Sequence, residues 1–404
     1  MVRGELRDFR LYLLARGTSI VGYHMLSVVV GWQVFSLTGR ALDLGFVGLA
    51  QFLPSILLSL VTGQVADRHD RRRILVVCYL AVALLTLVLL RLTQVGLTRP
   101  WPIYVVLTGL GTARAFSGPA SQALAPNLVP REMLARGIAW GSTVWQLSTI
   151  VGPALGGILY GALGPLFVYG LSSSLLVLGG LAIGLIEKGG LPREPRGPGE
   201  SKLSALFAGL RYVRQERAIL GTMSLDLFAV LLGGAVALLP MFAAAQRTGP
   251  WGLGLLRSAP AVGASCMAIS LGFFPLTRRA GPKMLGCVFL FGLVTVAFGL
   301  SKSFALSLVC LVVMGAADMV SVVVRKTLLQ VRVPDAMRGR VYAVGDVFVG
   351  ASNELGEFES GLTAAWLGPE LAVIAGGVGT CLVVVLWALF FPDLRKIDRL
   401  DGER

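Results

Sequence analysis

Two related stretches of sequence, spaced half a chain apart, decide the fold. The first, GLGTARAFSGPASQALAPNLVPREMLARG, occupies residues 109–137, and the second, VMGAADMVSVVVRKTLLQVRVPDAMRGRV, occupies residues 313–341. They align without gaps at a constant offset of 204 residues, so that Gly111 matches Gly315. Because the chain has 404 residues, this offset predicts two similar halves in tandem.

The composition is that of a membrane protein. Hydrophobic residues make up 55% of the chain, charged residues only 14%, and the mean hydropathy is +0.76. Apolar runs of about 18–25 residues recur along the chain, and each is long enough to cross a hydrocarbon core about 30 Å thick as a helix. We predict twelve transmembrane helices, which begin at Phe9, Leu44, Ile74, Trp101, Gly137, Pro165, Ala218, Trp251, Met284, Phe304, Val341 and Gly368.

A polar segment divides these spans into two sets of six. Residues 187–217 carry prolines and many charges, so they are predicted to form a cytoplasmic linker, with an amphipathic helix over LSALFAGLRYV. The predicted domains are an N-terminal six-helix bundle at residues 1–186 and a C-terminal six-helix bundle with a short cytoplasmic tail at residues 218–404. Together with the repeat, this division predicts an all-α membrane protein whose two six-helix bundles are related by a pseudo-two-fold axis.

The charge distribution orients the chain and excludes several classes of function. The net charge is +14, but Lys and Arg concentrate on segments that an even number of spans and an internal N-terminus place in the cytoplasm. Both termini are therefore predicted to be cytoplasmic, and no nucleic acid is expected as a partner. The sequence has no G-x-x-x-x-G-K-[ST] loop, only two histidines, and five cysteines without C-x-x-C spacing, so we expect no enzyme activity, no metal and no cofactor.

Several short motifs resemble those of a known transporter family. GQVADRHDRRR, at residues 63–73, has a glycine, an Asp-Arg step and a basic cluster between the second and third spans, and GPALGG, at residues 152–157, lies in the fifth. On these motifs the chain resembles the major facilitator superfamily over essentially its whole length. LDLFAVLLGGAVALLP, at residues 225–240, and GASNELGEFESG, at residues 350–361, are similar to the branch that contains enterobactin exporters and related drug or siderophore efflux proteins.

The resemblance implies a monomeric, multi-pass transporter in the inner membrane of a prokaryote, with a small-molecule substrate, protons and the lipid bilayer as its partners. In this family the first motif forms a cytoplasmic gate, and the matching residues here are Gly63, Asp67, Arg68 and Arg72. The second motif is associated with exporters. Its glycines allow close helix packing and its proline removes a backbone hydrogen bond, so a helix bend is predicted at Gly152, Pro153, Gly156 and Gly157.

One ionisable residue falls inside each of four spans that the resemblance assigns to the central cavity. They are His24, Arg114, Asp226 and Asp318, and the Arg114 and Asp318 positions correspond at the offset of 204. Because charges inside a bilayer are costly, such residues face a cavity or one another. We predict that Asp226 and Asp318 couple transport to protons and that Arg114 lines the substrate cavity. His24 is either a cavity residue or a neutral, hydrogen-bonded interior histidine.

The eleventh predicted span carries acids on more than one face. At about 100° per residue, one polar stripe is formed by Asp346, Gly350, Asn353 and Glu357. Glu354 lies about 60° from this stripe and Glu359 on nearly the opposite face, where it pairs with a neighbouring cation or approaches the external interface. We predict Glu357 as the first proton-coupling residue, Glu354 and Asp346 as further candidates, and Asn353 as a residue of the substrate cavity.

Two arginines within predicted spans have a simpler interpretation. Arg16 lies in the first span and Arg257 in the eighth. Long basic side chains near the ends of spans extend their charged heads to the membrane interface. We therefore interpret Arg16 as a cytoplasmic interfacial residue and Arg257 as an external one.

These features predict a secondary active transporter that exports an amphipathic small molecule, such as a drug or a siderophore, in exchange for protons by alternating access. A proton-coupled importer or a lipid transporter of the same fold would share the sequence features and differ in direction or substrate. A membrane receptor or assembly factor without transport would show no flux that depends on the intramembrane acids. The sequence does not identify the substrate.

Overall fold

The structure of the protein is a computed structural model that describes residues 6–187, 202–276 and 278–398. Within these ranges the chain is helical and contains no β-strand, as the apolar runs predict. Helices α1 to α5 are Arg7–Thr38, Ala41–Arg68, Arg71–Val95, Trp101–Leu124 and Leu134–Gly184. Helices α6 to α14 are Lys202–Gln215, Arg217–Gly233, Leu239–Ala245, Gly249–Phe273, Ala280–Leu300, Phe304–Arg332, Asp335–Leu367, Pro369–Phe390 and Pro392–Lys396.

Nine helices in the described part of the chain are long and apolar enough to cross a membrane. One of them, α5, has 51 residues and would be about 76 Å long if it were straight, far more than a bilayer requires. Its backbone leaves helical geometry at Gly164 (φ 81°, ψ 174°), so it consists of two consecutive helices. The nine count α7 and α8 as one span, Arg217–Ala245, and leave out the short helices α6 and α14. Helices α4 and α12 also fall outside the nine, because polar and charged residues interrupt their apolar sequence. The all-α membrane class is confirmed, and the number of twelve spans stays a prediction.

The helices form two compact units. Unit 1 comprises Met1–Gly39, Leu49–Pro198 and Thr248–Ser258, and unit 2 comprises Arg40–Gly48, Gly199–Arg247 and Ala259–Arg404. The first turns of α2 belong to unit 2 and the first turns of α9 belong to unit 1. Each half of the sequence therefore contributes one short helical segment to the unit built mainly from the other half. The predicted domain boundaries, at residues 186 and 218, stay a prediction.

The glycine that begins the sequence repeat has the same role in each unit. A Cβ atom added at Gly111 of α4 would overlap the carbonyl oxygen of Gln51 in α2, within unit 1. A Cβ atom added at its counterpart Gly315 of α11 would overlap the carbonyl oxygen of Pro260 in α9, within unit 2. Close backbone approach between helices requires a residue without a side chain. The matched glycines thus mark one tight helix crossing in each unit.

This crossing gives a direct stability test. We expect Gly111→Ala to destabilise the protein by about 1–3 kcal/mol, because the backbone of α2 must move away from the new methyl group. Gly118→Ala is the matched control, since it lies in the same helix and an added Cβ meets nothing within 4 Å. Thermal midpoints of the purified variants should show a clear loss for Gly111→Ala and none for Gly118→Ala. Equal midpoints would contradict the crossing.

The predicted amphipathic helix is present as α6, and it packs against other helices of unit 2. A Cβ atom added at Gly209 would lie 2.6 Å from the carbonyl oxygen of Arg340, at the beginning of α12. The Tyr212 hydroxyl donates a hydrogen bond of 3.4 Å to the carbonyl oxygen of Arg332, at the end of α11. Helix α6 therefore contacts the junction between α11 and α12, the two helices that carry most of the acids predicted to be functional.

Candidate functional site

Unit 2 contains a cluster of two acids and one base, in which one ion pair is buried and the second acid is half-buried. Asp226 of α7 forms an ion pair with Arg325 of α11, and the two residues are only 5% and 8% exposed. Asp318 lies seven residues before Arg325 on α11, which places both on the same helix face. The charges of Asp226 and Arg325 both act on the Asp318 carboxyl group. The structure thus brings together Asp226 and Asp318, which were predicted separately, and adds Arg325 to them.

A small cavity adjoins this cluster. Its volume is about 10 Å³, and its lining comprises Asp226, Ala229, Val230, Val288, Phe291, Asp318 and Ser321. A polar cavity of about this size is close to the smallest that holds one water molecule. The carboxylates of Asp226 and Asp318 therefore border a space of about the size of one water molecule.

The charges in the cluster do not balance. If both carboxylates are ionised, Asp226 and Asp318 contribute two negative charges against the single positive charge of Arg325. An uncompensated charge in a low-dielectric interior is unfavourable, whereas one bound proton makes the cluster neutral. The arrangement is chemically suited to bind and release a single proton.

The sequence interpretation missed Arg325. It lies near the end of an apolar run, in a region where Lys and Arg are expected from membrane topology alone. The available signal was its spacing of seven residues from Asp318, together with Ser321 three residues from Asp318, which forms one polar stripe on α11. Its pairing with Asp226 depends on the packing of α7 against α11, which that stripe does not specify.

The seventh predicted span is interrupted two turns after Asp226. Helix α7 ends at Gly233, and a 3-10 turn at Ala235–Leu238 precedes α8. The carbonyl oxygen of Gly234 accepts a hydrogen bond of 2.7 Å from the Ser360 hydroxyl of α12. Broken helices leave backbone groups that need new partners inside a membrane. Ser360 supplies one, and it fixes the end of the helix segment that carries Asp226.

The stripe predicted on α12 has a different environment from the cluster of two acids and one base. Glu357 is half-buried against α2, where a Cβ atom added at Gly48 would lie 2.8 Å from its Oε2 atom. The same helices cross at Gly361, where an added Cβ would lie 2.7 Å from the Cα atom of Gly45. Glu357 therefore occupies a tight helix crossing within unit 2. Neither it nor half-buried Glu354 is among the residues that line the cavity beside Asp318.

Two other polar residues predicted on α12, Asn353 and Glu359, bond within their own helix. The exposed Asn353 amide donates to the carbonyl oxygen of Val349 at 2.8 Å. Glu359 accepts a hydrogen bond of 2.7 Å from the Thr363 hydroxyl, and no cation of the described chain forms an ion pair with it. The side chain of Asp346 lies outside the described part of the structure, so its predicted role is neither supported nor opposed.

Unit 1 gathers cationic groups around its first helix. Arg257 Nη1 donates a hydrogen bond of 2.8 Å to the Ser27 hydroxyl, and the charges of Arg257 and Arg114 both bear on the ring of His24. The interpretation of Arg257 as an interfacial side chain is therefore wrong, because its guanidinium has a partner within the helices of unit 1. His24 and Arg114 are predicted cavity residues, whereas Arg257 is the arginine interpreted from the sequence as an external interfacial residue.

The motif between the second and third spans divides into two structural parts. Asp67 and Arg68 are exposed at the last turn of α2, and Gly63 is half-buried one turn earlier. Arg72 instead donates to the carbonyl oxygens of Ile186 and Glu187, at 2.5 and 2.9 Å. Both carbonyls lie just past the end of α5, where no helical N–H group donates to them. Arg72 thus joins the start of α3 to the end of α5, within unit 1.

Asp70 completes this junction and was not predicted. It is the N-cap of α3, where its Oδ1 atom accepts a hydrogen bond of 2.9 Å from the Arg72 backbone, and it pairs with the Arg72 guanidinium at 3.2 Å. Partial burial alone would raise the pKa of the Asp70 carboxyl, but the hydrogen bonds and charge of Arg72 outweigh it and hold the pKa below its ordinary value of 3.8. An aspartate before an apolar helix is itself an N-cap signal.

This shift predicts a pH-dependent contribution to stability. Because the folded pKa is lowered, the Asp70 carboxylate stabilises the fold above its ordinary pKa, and that contribution is lost as the pH falls through the lower folded value. We expect Asp70→Asn, which keeps an N-cap side chain, to lower the thermal midpoint at neutral pH by a few degrees at most. The gap to the unsubstituted protein should close below about pH 4. Glu132→Gln, which removes an exposed acid elsewhere in unit 1, is the control, and a gap that persists at acid pH would refute the assignment.

The predicted bend motif of the fifth span is a packing surface. A Cβ atom added at Gly152 would lie 2.6 Å from the Cβ of His24, and one at Gly156 would lie 2.8 Å from the Cα of Met25. An added Cβ at Gly157 would lie 2.7 Å from the Cα of Gly254 in α9. Pro153 lies between these contacts, and the backbone departs from helical φ/ψ only further along, at Gly164, within the described part of α5. A bend at Pro153 stays a prediction.

These geometries can be compared with known proteins. A family model described as a transmembrane secretion effector, from the major facilitator superfamily, matches residues 5–403. The chain belongs to this family. Its members are membrane transporters, so the protein is a multi-pass membrane transporter of the major facilitator superfamily and not an enzyme. The resemblance found in the sequence motifs is confirmed.

Relatives and solved structures agree with this family. The enterobactin exporters EntS of Shigella boydii serotype 18 and of Escherichia coli O139:H28 are each 28% identical over 400 residues, covering 96% of this chain and 92% of theirs. A bacterial homologue of the human lysosomal transporter Spinster has a TM-score of 0.74 at 14% identity, covering 98% of both chains. A bacterial homologue of the iron transporter ferroportin has a TM-score of 0.69 at 18% identity, covering 96% of this chain and 99% of that one. These transporters share the two-bundle fold of the superfamily.

Proposed function

We propose that this transporter exports an amphipathic small molecule of the siderophore or drug class in exchange for protons. The proposal also places it in the inner membrane of a prokaryote as a monomer, with both termini in the cytoplasm. Its direction and substrate class rest on the similarity to enterobactin exporters along almost the whole chain. Its coupling rests on one observation, which is the cluster of Asp226, Arg325 and Asp318.

In this proposal Asp318 carries the exchangeable proton and the ion pair holds the site together. The Arg325 guanidinium neutralises Asp226, so the pair has no net charge to exchange. Asp318 adds the unbalanced negative charge, and a proton on its carboxyl removes that charge. Because the two forms differ by a full charge in a low-dielectric site, they favour different arrangements of the surrounding helices.

A transport cycle follows from this difference. With the cytoplasmic side open, the substrate binds and Asp318 releases its proton. The transporter then changes conformation to open the site outward, where the higher proton concentration reloads Asp318 and favours release of the substrate. Alternating access around a midplane site is the general scheme for transporters built from such repeats.

Glu357 remains a second candidate for the proton. Its half-buried carboxyl lies against Gly48 at a tight crossing of α2 and α12, so a change in its charge would act directly on the packing of those helices. Glu354, one turn earlier, and Asp346 are weaker candidates on the same helix. Asp318 is preferred because its surroundings combine a neighbouring acid, a buried arginine and a cavity.

Everted membrane vesicles test the proposal against its alternatives. With an acid interior, an exporter should accumulate enterobactin inside the vesicles, and collapse of the pH gradient should release it. An importer would accumulate the molecule only in vesicles of normal orientation. A lipid transporter would move fluorescent phospholipid between leaflets in place of enterobactin, and a receptor or assembly factor would move neither. Any of these last three results would overturn proton-coupled export.

A further inference from the structure

Unit 1 contains a second cavity, distinct from the small one beside Asp318. Its volume is about 240 Å³, and it lies where the beginning of α1 meets the end of α4 and the beginning of α5. Apolar and aromatic residues form most of its wall, including Phe9, Tyr12, Val129 and Ile138. A cavity of this size accommodates a one- or two-ring organic molecule, below the usual range for drug-sized ligands of about 300–1,000 Å³.

Among the described residues that line this cavity, one is a cation, Arg16. Its Nη1 atom donates a hydrogen bond of 3.0 Å to the Tyr12 hydroxyl, which in turn contacts Ser121 through its carbonyl oxygen at 3.2 Å and its hydroxyl at 3.0 Å. This chain of bonds fixes the guanidinium toward the cavity. Sequence reasoning had interpreted Arg16 as an interfacial residue, and the structure instead gives it a partner that is 1% exposed.

Arg16 lacks a counter-charge among the described residues. No carboxylate of the described chain forms an ion pair with it, and its bond to Tyr12 uses one of the five N–H donors of a guanidinium. A guanidinium held in a largely apolar environment attracts an oxyanion, which can accept two of its donors at once. The environment beside it has room, because a Cβ atom added at Gly141 would meet only Arg16 Nη1, at 3.9 Å.

We propose that this cavity binds an organic oxyanion, with the anionic group on Arg16 and an aromatic or similarly flat apolar body against Phe9 and Tyr12. The rings of Phe9 and Tyr12 lie 6.3 Å apart at 22°, and they present an aromatic wall beside the guanidinium. The inference rests on the proposed export function, since it assigns the cavity to the anionic, flat part of an amphipathic substrate. A carboxylate, a phenolate or a sulfonate would supply the same chemistry, and so would the headgroup of an anionic phospholipid.

Binding of 2-naphthoate to the purified full-length protein in phosphatidylcholine nanodiscs tests the proposal. Its uncharged counterpart, 2-naphthamide, has the same body without the charge. We expect the unsubstituted protein to prefer the anion by about tenfold or more in Kd, and Arg16→Gln to abolish that preference. Arg10→Gln removes an exposed positive charge from the same helix and should leave the preference intact. Equal preferences in the two variants would overturn the assignment.

Two further variants keep the test independent of folding. Arg16→Lys retains the charge, so it should retain part of the preference for the anion. Gly141→Leu leaves Arg16 unchanged but fills the adjacent space, so it should weaken both ligands together. If Gly141→Leu bound 2-naphthoate as tightly as the unsubstituted protein, the ligand would not lie in this cavity, and the proposal would be wrong.

Anionic lipid is distinguished by adding phosphatidylglycerol to the nanodiscs. An unchanged affinity for 2-naphthoate supports a site for a soluble anion. A weakened affinity that depends on Arg16 assigns the site to a lipid headgroup and overturns the substrate assignment. Because binding is measured without flux, its failure would leave proton-coupled export standing, and a failure of export in vesicles would leave the measured binding standing.

Discussion

Asp318→Asn is expected to abolish accumulation of substrate driven by a pH gradient while downhill movement of the substrate continues. Asparagine keeps the size and hydrogen-bonding capacity of the side chain but can neither gain nor lose a proton. If one proton is exchanged per substrate, a gradient of one pH unit supports about tenfold accumulation. In proteoliposomes with enterobactin as the probe, the unsubstituted protein should approach that ratio, and the variant should stay near unity.

Control variants must show that the loss of accumulation is specific to Asp318 and does not follow from removing any carboxyl group. Glu370→Gln removes an exposed carboxyl at the beginning of α13, outside the cluster that contains Asp318, and should accumulate substrate normally. Glu357→Gln addresses the second candidate directly. Full accumulation by Asp318→Asn combined with loss in Glu357→Gln would move the proton site to the crossing of α2 and α12.

Arg325→Gln is expected to cause a large loss of stability. It leaves Asp226 buried and without its partner, and removal of one member of a buried ion pair costs about 3–5 kcal/mol. The thermal midpoint of the purified variant should fall well below that of Arg332→Gln, which removes an exposed cation from the end of the same helix. A similar midpoint for the two variants would show that the pair contributes little.

A double substitution distinguishes loss of the pair from loss of packing. Asp226→Asn combined with Arg325→Gln removes both charges of the ion pair, so neither member is left buried without the other, and it should recover much of the stability lost in Arg325→Gln. Transport by this double variant is also informative. Because Asp318 remains, the proposal expects its proton exchange to persist wherever the protein folds.

The fold was largely predictable from the sequence because hydropathy and the internal repeat can both be recognised without knowing which helices are in contact. Apolar runs define helices without reference to any partner, and the offset between residues 109–137 and 313–341 predicts two similar halves. Gly111 and Gly315 illustrate the point, since both mark tight helix crossings. The assignment of the first turns of α2 and α9 to the opposite units was not predictable, because it depends on contacts far apart in sequence.

The candidate site was predictable only in part, for the same reason. The sequence could identify Asp226 and Asp318 as costly charges in apolar spans. It could not show that Arg325 pairs with Asp226 and that its charge acts on Asp318. Helical geometry separated Glu357 from Glu359 on α12. It could not reveal that Gly48, some 300 residues earlier, lies opposite Glu357.

The most direct test of proton coupling through Asp318 is the pH inside proteoliposomes while substrate leaves them down its own gradient. A pH-sensitive dye in the lumen reports protons that enter as enterobactin exits. The proposal predicts acidification of the lumen for the unsubstituted protein, and exit of enterobactin without acidification for Asp318→Asn. Equal acidification for the two proteins, or exit of enterobactin with no pH change in either, would contradict it.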